Sequence, residues 1–357
     1  MTLSQNRADV ANRALVERDS DPSLLMQPVH IFWRILTNLA MHRKVIQVLR
    51  LRPFAAIVES NPKFAFKYLA TKYLVRGLTV TERASCFMHH YKRLYDSISD
   101  RAFHQILHWD VEFRAIFEAG SRLAVTIGTS RPFDNEGELS LLLKMDGEIF
   151  FTLSFTIVPG WVVKSKATEV LLISRLQGTP GYSPEQIRLA IKAMHGVRPR
   201  ALLLSALEGI AIAMGIQEIA SVSTRNHIDY SKELDAVFEN SYDDFFAELG
   251  RMNSDTGFFT LTVPIDDKPL SLIKQGHKIR TRKKRAFRKQ VRLACSDGFL
   301  KITDREKGSS TLNGENVTPE INTFEVVFIS SPMFVVEQAE PSHPASLYLA
   351  DEKSFSR

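Results

Sequence analysis

The stretch from Glu169 to His227, EVLLISRLQGTPGYSPEQIRLAIKAMHGVRPRALLLSALEGIAIAMGIQEIASVSTRNH, constrains the fold more than any other part of this chain. A short apolar run, Val170 to Ile173, leads into Arg175-Leu176-Gln177-Gly178 and a turn closed by Pro180-Gly181. A helix is expected from Ser183 to Met194, followed by a hinge of His195-Gly196-Val197-Arg198-Pro199. A second, very apolar helix is expected from Arg200 to Met214, and Ile219 to Ser223 reads as another buried strand. Strand, glycine loop, helices and strand form a unit that sets two parallel strands side by side, with room for a ligand where the strands end.

Upstream of this unit the texture is different. Ile31, Ile35, Leu39, Val45, Val48 and Leu49 recur near helical spacing until Pro53, and a second helical region is expected over Phe54 to Leu74. Thr79 or Thr81 can cap a third helix with Glu82 in its first turn, and a short helix is expected over Arg101 to His108. From Phe113 the runs shorten and alternate: Phe113 to Phe117, Arg122 to Ile127, Leu139 to Lys144, Ile149 to Ile157 and Val162 to Leu172. Gly128, Asn135-Glu136-Gly137, Asp146-Gly147 and Pro159-Gly160 punctuate them, and Asp146-Gly147 is a strong hairpin signal. A meander followed by strand–loop–helix–strand is an α+β order.

Downstream, Tyr242-Asp243-Asp244-Phe245-Phe246 falls in a helical or mixed stretch, and Gly257 to Val263 reads as a strand ended by Pro264. Pro269 is expected to start a last helix, Leu270 to Leu293. The chain thus divides into a polar tail (1–25), a helical region (26–112), an α+β core ending in a basic helix (113–294) and a weakly structured extension (295–357).

Bulk properties narrow the class. With 44% hydrophobic and 24% charged residues over 357, the chain has the composition of a globular protein. Two cysteines, Cys86 and Cys295, are too few for a disulfide scaffold and suit a reducing compartment. The N-terminus has no charged segment followed by an apolar core, and the longest apolar run, Ala201 to Ile216, is interrupted by Glu208. That run falls short of the roughly 20 residues a spanning helix needs. The expected location is cytoplasmic, with peripheral contact to the inner membrane left open. Net charge is +6, and His277 to Arg292 holds nine Lys and Arg and no acid, so the rest of the chain carries a net −3.

The motifs LQG-x-x-G, A-x-K-x-x-HG-x-x-PR, a long apolar helix ending in glycine, and IASVSTRNH resemble the VirK/YbjX family of bacterial proteins. The resemblance continues through Tyr242 to Phe246 and the basic run Lys283-Lys284-Arg285-Ala286. It implies an association with virulence and with envelope or antimicrobial-peptide stress in Gram-negative bacteria, and it implies no reaction.

The element order also resembles acyltransferases of the GNAT type, in which a strand ends in a glycine loop whose amides cradle a pyrophosphate. That resemblance implies an acyl-coenzyme A or aminoacyl donor held by Gln177, Gly178 and Gly181, with Arg175 or Arg198 compensating charge. Pro180 departs from the pattern, because it removes a donor from the loop. His227 and Asn226 would stand at the reaction centre, and Tyr242 could donate a proton to a leaving thiolate.

His195 has two readings, a titratable cleft residue or a helix C-terminal residue followed by a capping Gly196. Glu208, inside an apolar helix, must be paired, have a raised pKa, or face a cavity, with Arg198 or Arg200 as partner. Asp243 and Asp244 are adjacent, so on a helix they diverge by about 100° and do not share a site. No metal-ligand set, Walker loop or serine elbow is recognised. The basic helix offers Lys283, Lys284, Arg285 and Arg288 to an anionic membrane surface; Phe287 alone gives no stacking platform for sequence-specific nucleic-acid binding. A non-enzymatic accessory protein working through that helix is the competing class.

Overall fold

The structure, a computed structural model, describes residues 27–108, 111–118, 121–130, 134–230, 242–253 and 256–303. The expected tail, the mixed stretch 231–241 and the apolar patches Phe324 to Ile329 and Met333 to Val336 lie outside the described residues.

Helices come first: α1 (Gln27–Thr37), α2 (Leu39–Leu49), α3 (Arg52–Ser60), a 3-10 segment (Pro62–Leu69), α4 (Val80–Ser97) and α5 (Asp100–His108). Pro62 ends the helix expected to run on to Leu74, since proline lacks the amide that would continue the ladder. Thr79 and Glu82 form a reciprocal capping box that starts α4. A meander follows, β1 (Val111–Glu118), β2 (Ser121–Thr129), β3 (Leu139–Met145), β4 (Glu148–Pro159) and β5 (Glu169–Gly178). Asp146 and Gly147 both take left-handed φ, 52° and 95°, at the expected β3–β4 turn. Val162 and Val163, expected in a strand, lie instead in a short 3-10 turn.

Next come α6 (Pro184–Ala193), α7 (Pro199–Met214), β6 (Glu218–Val222), one helical turn at Asp244–Ala247, β7 (Arg251–Asn253), β8 (Phe258–Thr262) and α8 (Lys278–Thr303). The last helix starts eight residues later than expected, because Leu270–Leu272 and Gln275–His277 form two separate 3-10 turns. It also runs past residue 294, and Cys295, Ser296 and Phe299 are buried along it.

The strands make one eight-stranded sheet in the order β1-β2-β3-β4-β5-β6-β8-β7. Every neighbouring pair is antiparallel except β5 and β6, which run parallel, as a mixed α+β architecture requires when helices carry the crossover. The α4 helix packs on β4 from the N-terminal helical side, while α7 crosses β3 to β6 and holds α8 against its outer face. Gly209 allows that last contact, since a Cβ there would lie 2.2 Å from the Arg292 carbonyl oxygen. Buried Glu138 ties the helical side to the sheet. It accepts from Lys67 Nζ (2.9 Å), Tyr73 Oη (2.5 Å) and Tyr91 Oη.

The parallel pair positions everything below. Pairing runs only from Leu171↔Ile219 to Ile173↔Ser221. At that point β5 carries a bulge: against β4, Ile173 faces Phe155 and Arg175 faces Ser154, leaving Ser174 as the extra residue. A bulge bends its strand and raises the local twist, so β5 leaves β6 there and continues to Gly178 along β4 alone.

Candidate functional site

Where β5 leaves β6, three chain segments bring charge together. Arg175 is the first residue of β5 beyond the bulge, and its guanidinium pairs with the Glu136 carboxylate, both side chains buried. Glu136 ends the short helical turn Asp134–Glu136 before β3. Gly137 beside it admits close packing, because a Cβ there would sit 2.9 Å from Ser154 Cβ. His227, five residues past the end of β6, places Nε2 3.8 Å from Glu136 Oε1. Asp229 completes the group and takes Lys72 Nζ at 3.0 Å. Leu74 N donates to Asn135 O and Arg76 N to Asn226 O, so the segment 72–76 stitches the two loops together.

Burial shifts both titratable groups at the centre toward their neutral forms, and at Glu136 the Arg175 guanidinium opposes it. Burial pushes the Glu136 carboxyl up despite the Arg175 guanidinium, and nearby Asp229 pushes the same way. Burial pulls the His227 imidazole down to about 4, with Arg175 and Lys72 adding to the effect and Asp229 opposing it. The Asp229 amide donates to His227 Nδ1 at 3.2 Å. A neutral ring accepting there carries its proton on Nε2, the atom facing Glu136.

Glu136, His227 and Asp229 have ligand atoms within 4.8 Å of one another, so by distance they are the described residues that could hold a metal. Two features oppose it. Arg175 already occupies Glu136, and Nε2 bears the proton as long as Nδ1 accepts from the Asp229 amide. The trio fits proton handling better than metal binding.

Tyr242 stands at the same gap. Its hydroxyl lies 3.0 Å from Ser221 Oγ, on the last residue of β6 that pairs with β5. Burial holds the phenol well above its usual pKa against the Ser221 hydrogen bond, and the charges of Asp243 and then Glu136 add to it. Asn226 has a different task. Its amide donates to Thr256 O at 2.7 Å, which fixes the loop entering β8 and leaves its neighbour His227 to face Glu136.

The glycine turn after β5 spends most of its donors internally. Thr179 N donates to Phe150 O, Pro180 has none, and Ser183 N goes to the Gln186 side chain in a capping box. Gln177 is buried opposite Thr152, Gly178 lies against the Phe151 ring, and Gly181 takes φ 100° in the turn.

Arg93 bonds both Glu169 at the start of β5 and the carbonyl of Met214 at the end of α7. The C-terminus of α7 therefore lies beside the start of β5, and the helix crosses the sheet between β3 and β6. A second group of cations surrounds Gly196, just before α7, where Arg280, Lys284 and Arg198 come together. Lys284 Cε and Arg280 Nη2 approach Gly196 to 3.1 and 3.5 Å of where its Cβ would be. Burial lowers the Lys284 pKa, and Arg280, Arg198 and Arg288 lower it further.

His195 and Glu208 do not join the Glu136 group. His195 is exposed, takes φ 54° at the end of α6 and lies edge-on to Phe287 of α8. Glu208 is paired, but by Arg292 (2.6 Å) and the Ile265 amide (2.8 Å), not by Arg198 or Arg200. It lines a separate cavity of about 220 Å³ between α7 and α8, with Ser205 and Phe245. Arg200 instead covers the Phe245 ring at 4.8 Å.

A family model described as "Protein of unknown function (DUF535)" matches residues 27–296, most of the chain and all of the sheet. The chain belongs to the DUF535 family. This is the family whose VirK/YbjX motifs the central stretch resembles. No curated protein and no solved structure gives a significant match.

In this DUF535 chain the expected reaction-centre residue His227 lies in the Glu136 group. Arg175, expected to compensate a donor's charge, is paired with Glu136 instead, and Glu136, Asp229, Lys72 and Ser221 were not singled out from the sequence. Asn135-Glu136-Gly137-Glu138 reads as a turn. The available signal is two acids flanking a glycine between apolar strands, which is costly unless the carboxylates are paired. No helix among the described residues is long and apolar enough to cross a membrane.

Proposed function

We propose that this DUF535 chain is an acyl- or aminoacyl-transferase of GNAT-like architecture, acting on an amine or hydroxyl acceptor linked to the bacterial envelope. The observation that carries the reading is the parting of β5 from β6 directly beside Glu136, Arg175 and His227. In this reading, written for a thioester donor, the acceptor's lone pair attacks the acyl carbonyl and the carbon–sulfur bond to the carrier breaks; with an aminoacyl ester the carbon–oxygen bond would break instead. Glu136, its carboxyl pKa raised by burial and its ionised form held by Arg175, takes the acceptor's proton, with His227 Nε2 facing it at 3.8 Å. Tyr242 returns a proton to the leaving thiolate. The carrier's phosphates meet Arg198, Arg280 and Lys284 at the start of α7, with Gln177, Gly178 and Gly181 along the acyl-bearing arm. The envelope context comes from the VirK/YbjX resemblance.

The competing reading, an accessory protein using the basic helix, would rest on its exposed cations Arg280, Arg282, Lys283 and Lys289. Of Lys283, Lys284, Arg285 and Arg288, only Lys283 is exposed; Arg285 bonds Lys268 O, and Arg288 pairs with Asp267.

Thermal denaturation with coenzyme A, acetyl-coenzyme A and a long-chain acyl-coenzyme A tests the proposal. A ligand that binds only the folded state raises Tm with its concentration. The expected result is such a rise for the wild type, lost in the R280A/K284A variant and kept in E136Q. No rise with any carrier, together with full complementation of antimicrobial-peptide sensitivity by E136Q, would overturn it.

A further inference from the structure

The first helix turns a charged residue inward and leaves large apolar residues outside. Arg34 of α1 turns inward and donates to the Leu69 carbonyl at 2.6 Å, at the end of the 3-10 segment. Ile35 packs against the core, and Val45 and Leu49 are buried in α2. With the charge facing in, the outer side of α1 is left to Phe32 and Trp33, exposed at 58% and 61%, with Leu36 and Leu39 beside them.

Asn38 is the single residue between the two helices; it leaves helical geometry at φ −124° and ψ 29°, while its amide donates to Ile35 O and its carbonyl accepts from His42 N. The exposed positions go on into α2, where they become cationic at Arg43 and Lys44, and at Arg50 just beyond it. From Pro22 to Val58 the sequence holds five Lys and Arg and no acid. One outward stripe thus reads aromatic and aliphatic first, then basic.

We propose that this α1–α2 stripe is a docking surface for an anionic lipid bilayer. Trp and Phe rings sit at the boundary between headgroups and acyl chains, where an amphipathic helix lies in the plane of the membrane. Cations beside them attract the negative headgroups, and a stripe lacking acids meets no repulsion there. The inward bond of Arg34 holds α1 so that its apolar side faces out. The surface is distinct from the basic helix α8, and the proposal does not depend on transferase activity.

Cosedimentation of the full chain with vesicles decides the matter. The wild type should bind equal mixtures of phosphatidylglycerol and phosphatidylcholine and not phosphatidylcholine alone, with binding weakened by salt. F32S/W33S should lower the partition by about ten-fold or more, R43E/K44E should abolish it, and R282Q/K283Q in α8 should retain it, all at unchanged Tm. Doxyl-lipid quenching of fluorescence should disappear in W33F. The proposal is overturned if the wild type does not bind anionic vesicles, or if only R282Q/K283Q loses binding. It is equally overturned if F32S/W33S leaves binding intact and instead disrupts a dimer seen by sedimentation, which would make the stripe a contact between copies.

Discussion

Arg175 and Glu136, 39 positions apart, close on each other as a buried ion pair where the sheet divides. The pair is carried by two devices, the bulge at Ser174 that swings Arg175 clear of β6 and the missing Cβ of Gly137 that lets its loop lie against β4.

Removing one partner should hurt far more than removing both. Arg175→Ala leaves a buried carboxylate uncompensated and should cost about 3–5 kcal/mol, whereas Arg175→Met with Glu136→Leu should recover most of it. Urea denaturation of the two singles and the double, read as a mutant cycle, measures the coupling.

His227 gives a pH signature. Its folded-state pKa is depressed to about 4, so between that value and the unfolded value near 6.5 the unfolded chain binds the extra proton. Its contribution to stability is therefore complete above pH 6.5 and falls as the pH drops toward 4, by at most about 3 kcal/mol. His227→Gln should flatten that part of the stability profile. Glu136 acts in the opposite sense, since its raised pKa makes it lose stability as the pH rises through its titration.

Lys284 should show a trade between stability and binding. Crowded by Arg280, Arg198 and Arg288 and partly desolvated, it opposes folding in its charged form. Lys284→Met should raise stability by about 0.5 kcal/mol while weakening carrier binding, which thermal melts with and without coenzyme A would separate.

The α7–α8 contact depends on a single missing methyl group. Gly209→Ala drives a Cβ toward the Arg292 carbonyl and disturbs the Glu208–Arg292 pair, and should cost about 1–3 kcal/mol. Gly215→Ala, at the left-handed end of α7 with nothing within 4 Å, should cost less and only through backbone strain. Denaturant midpoints of the two variants make the comparison.

Local rules carried much of the fold. The capping box at Thr79 and Glu82, the Asp146-Gly147 turn, Pro199 at the start of α7 and Gly215 at its end all act within one turn of chain, so their residues announce them. The parallel pair was legible for a related reason, since apolar runs around a long apolar helix leave few ways to bury all three. Glu136, Asp229 and Arg292 were not legible, because each acquires its role from a partner tens of residues away. The start of α8 was misplaced because Pro269 can introduce a 3-10 turn, Leu270–Leu272, as well as a helix. Its true start at Lys278 has no such marker.

Hydrogen–deuterium exchange with and without acetyl-coenzyme A tests the transferase reading most directly, because it reports where the carrier sits. The account predicts added protection in Arg175–Ser183, at the start of α7 around Gly196 to Ala201, and in Ser223–Asp229. Protection absent from all three segments at saturating carrier, or confined to the α7–α8 cavity around Glu208, would contradict it.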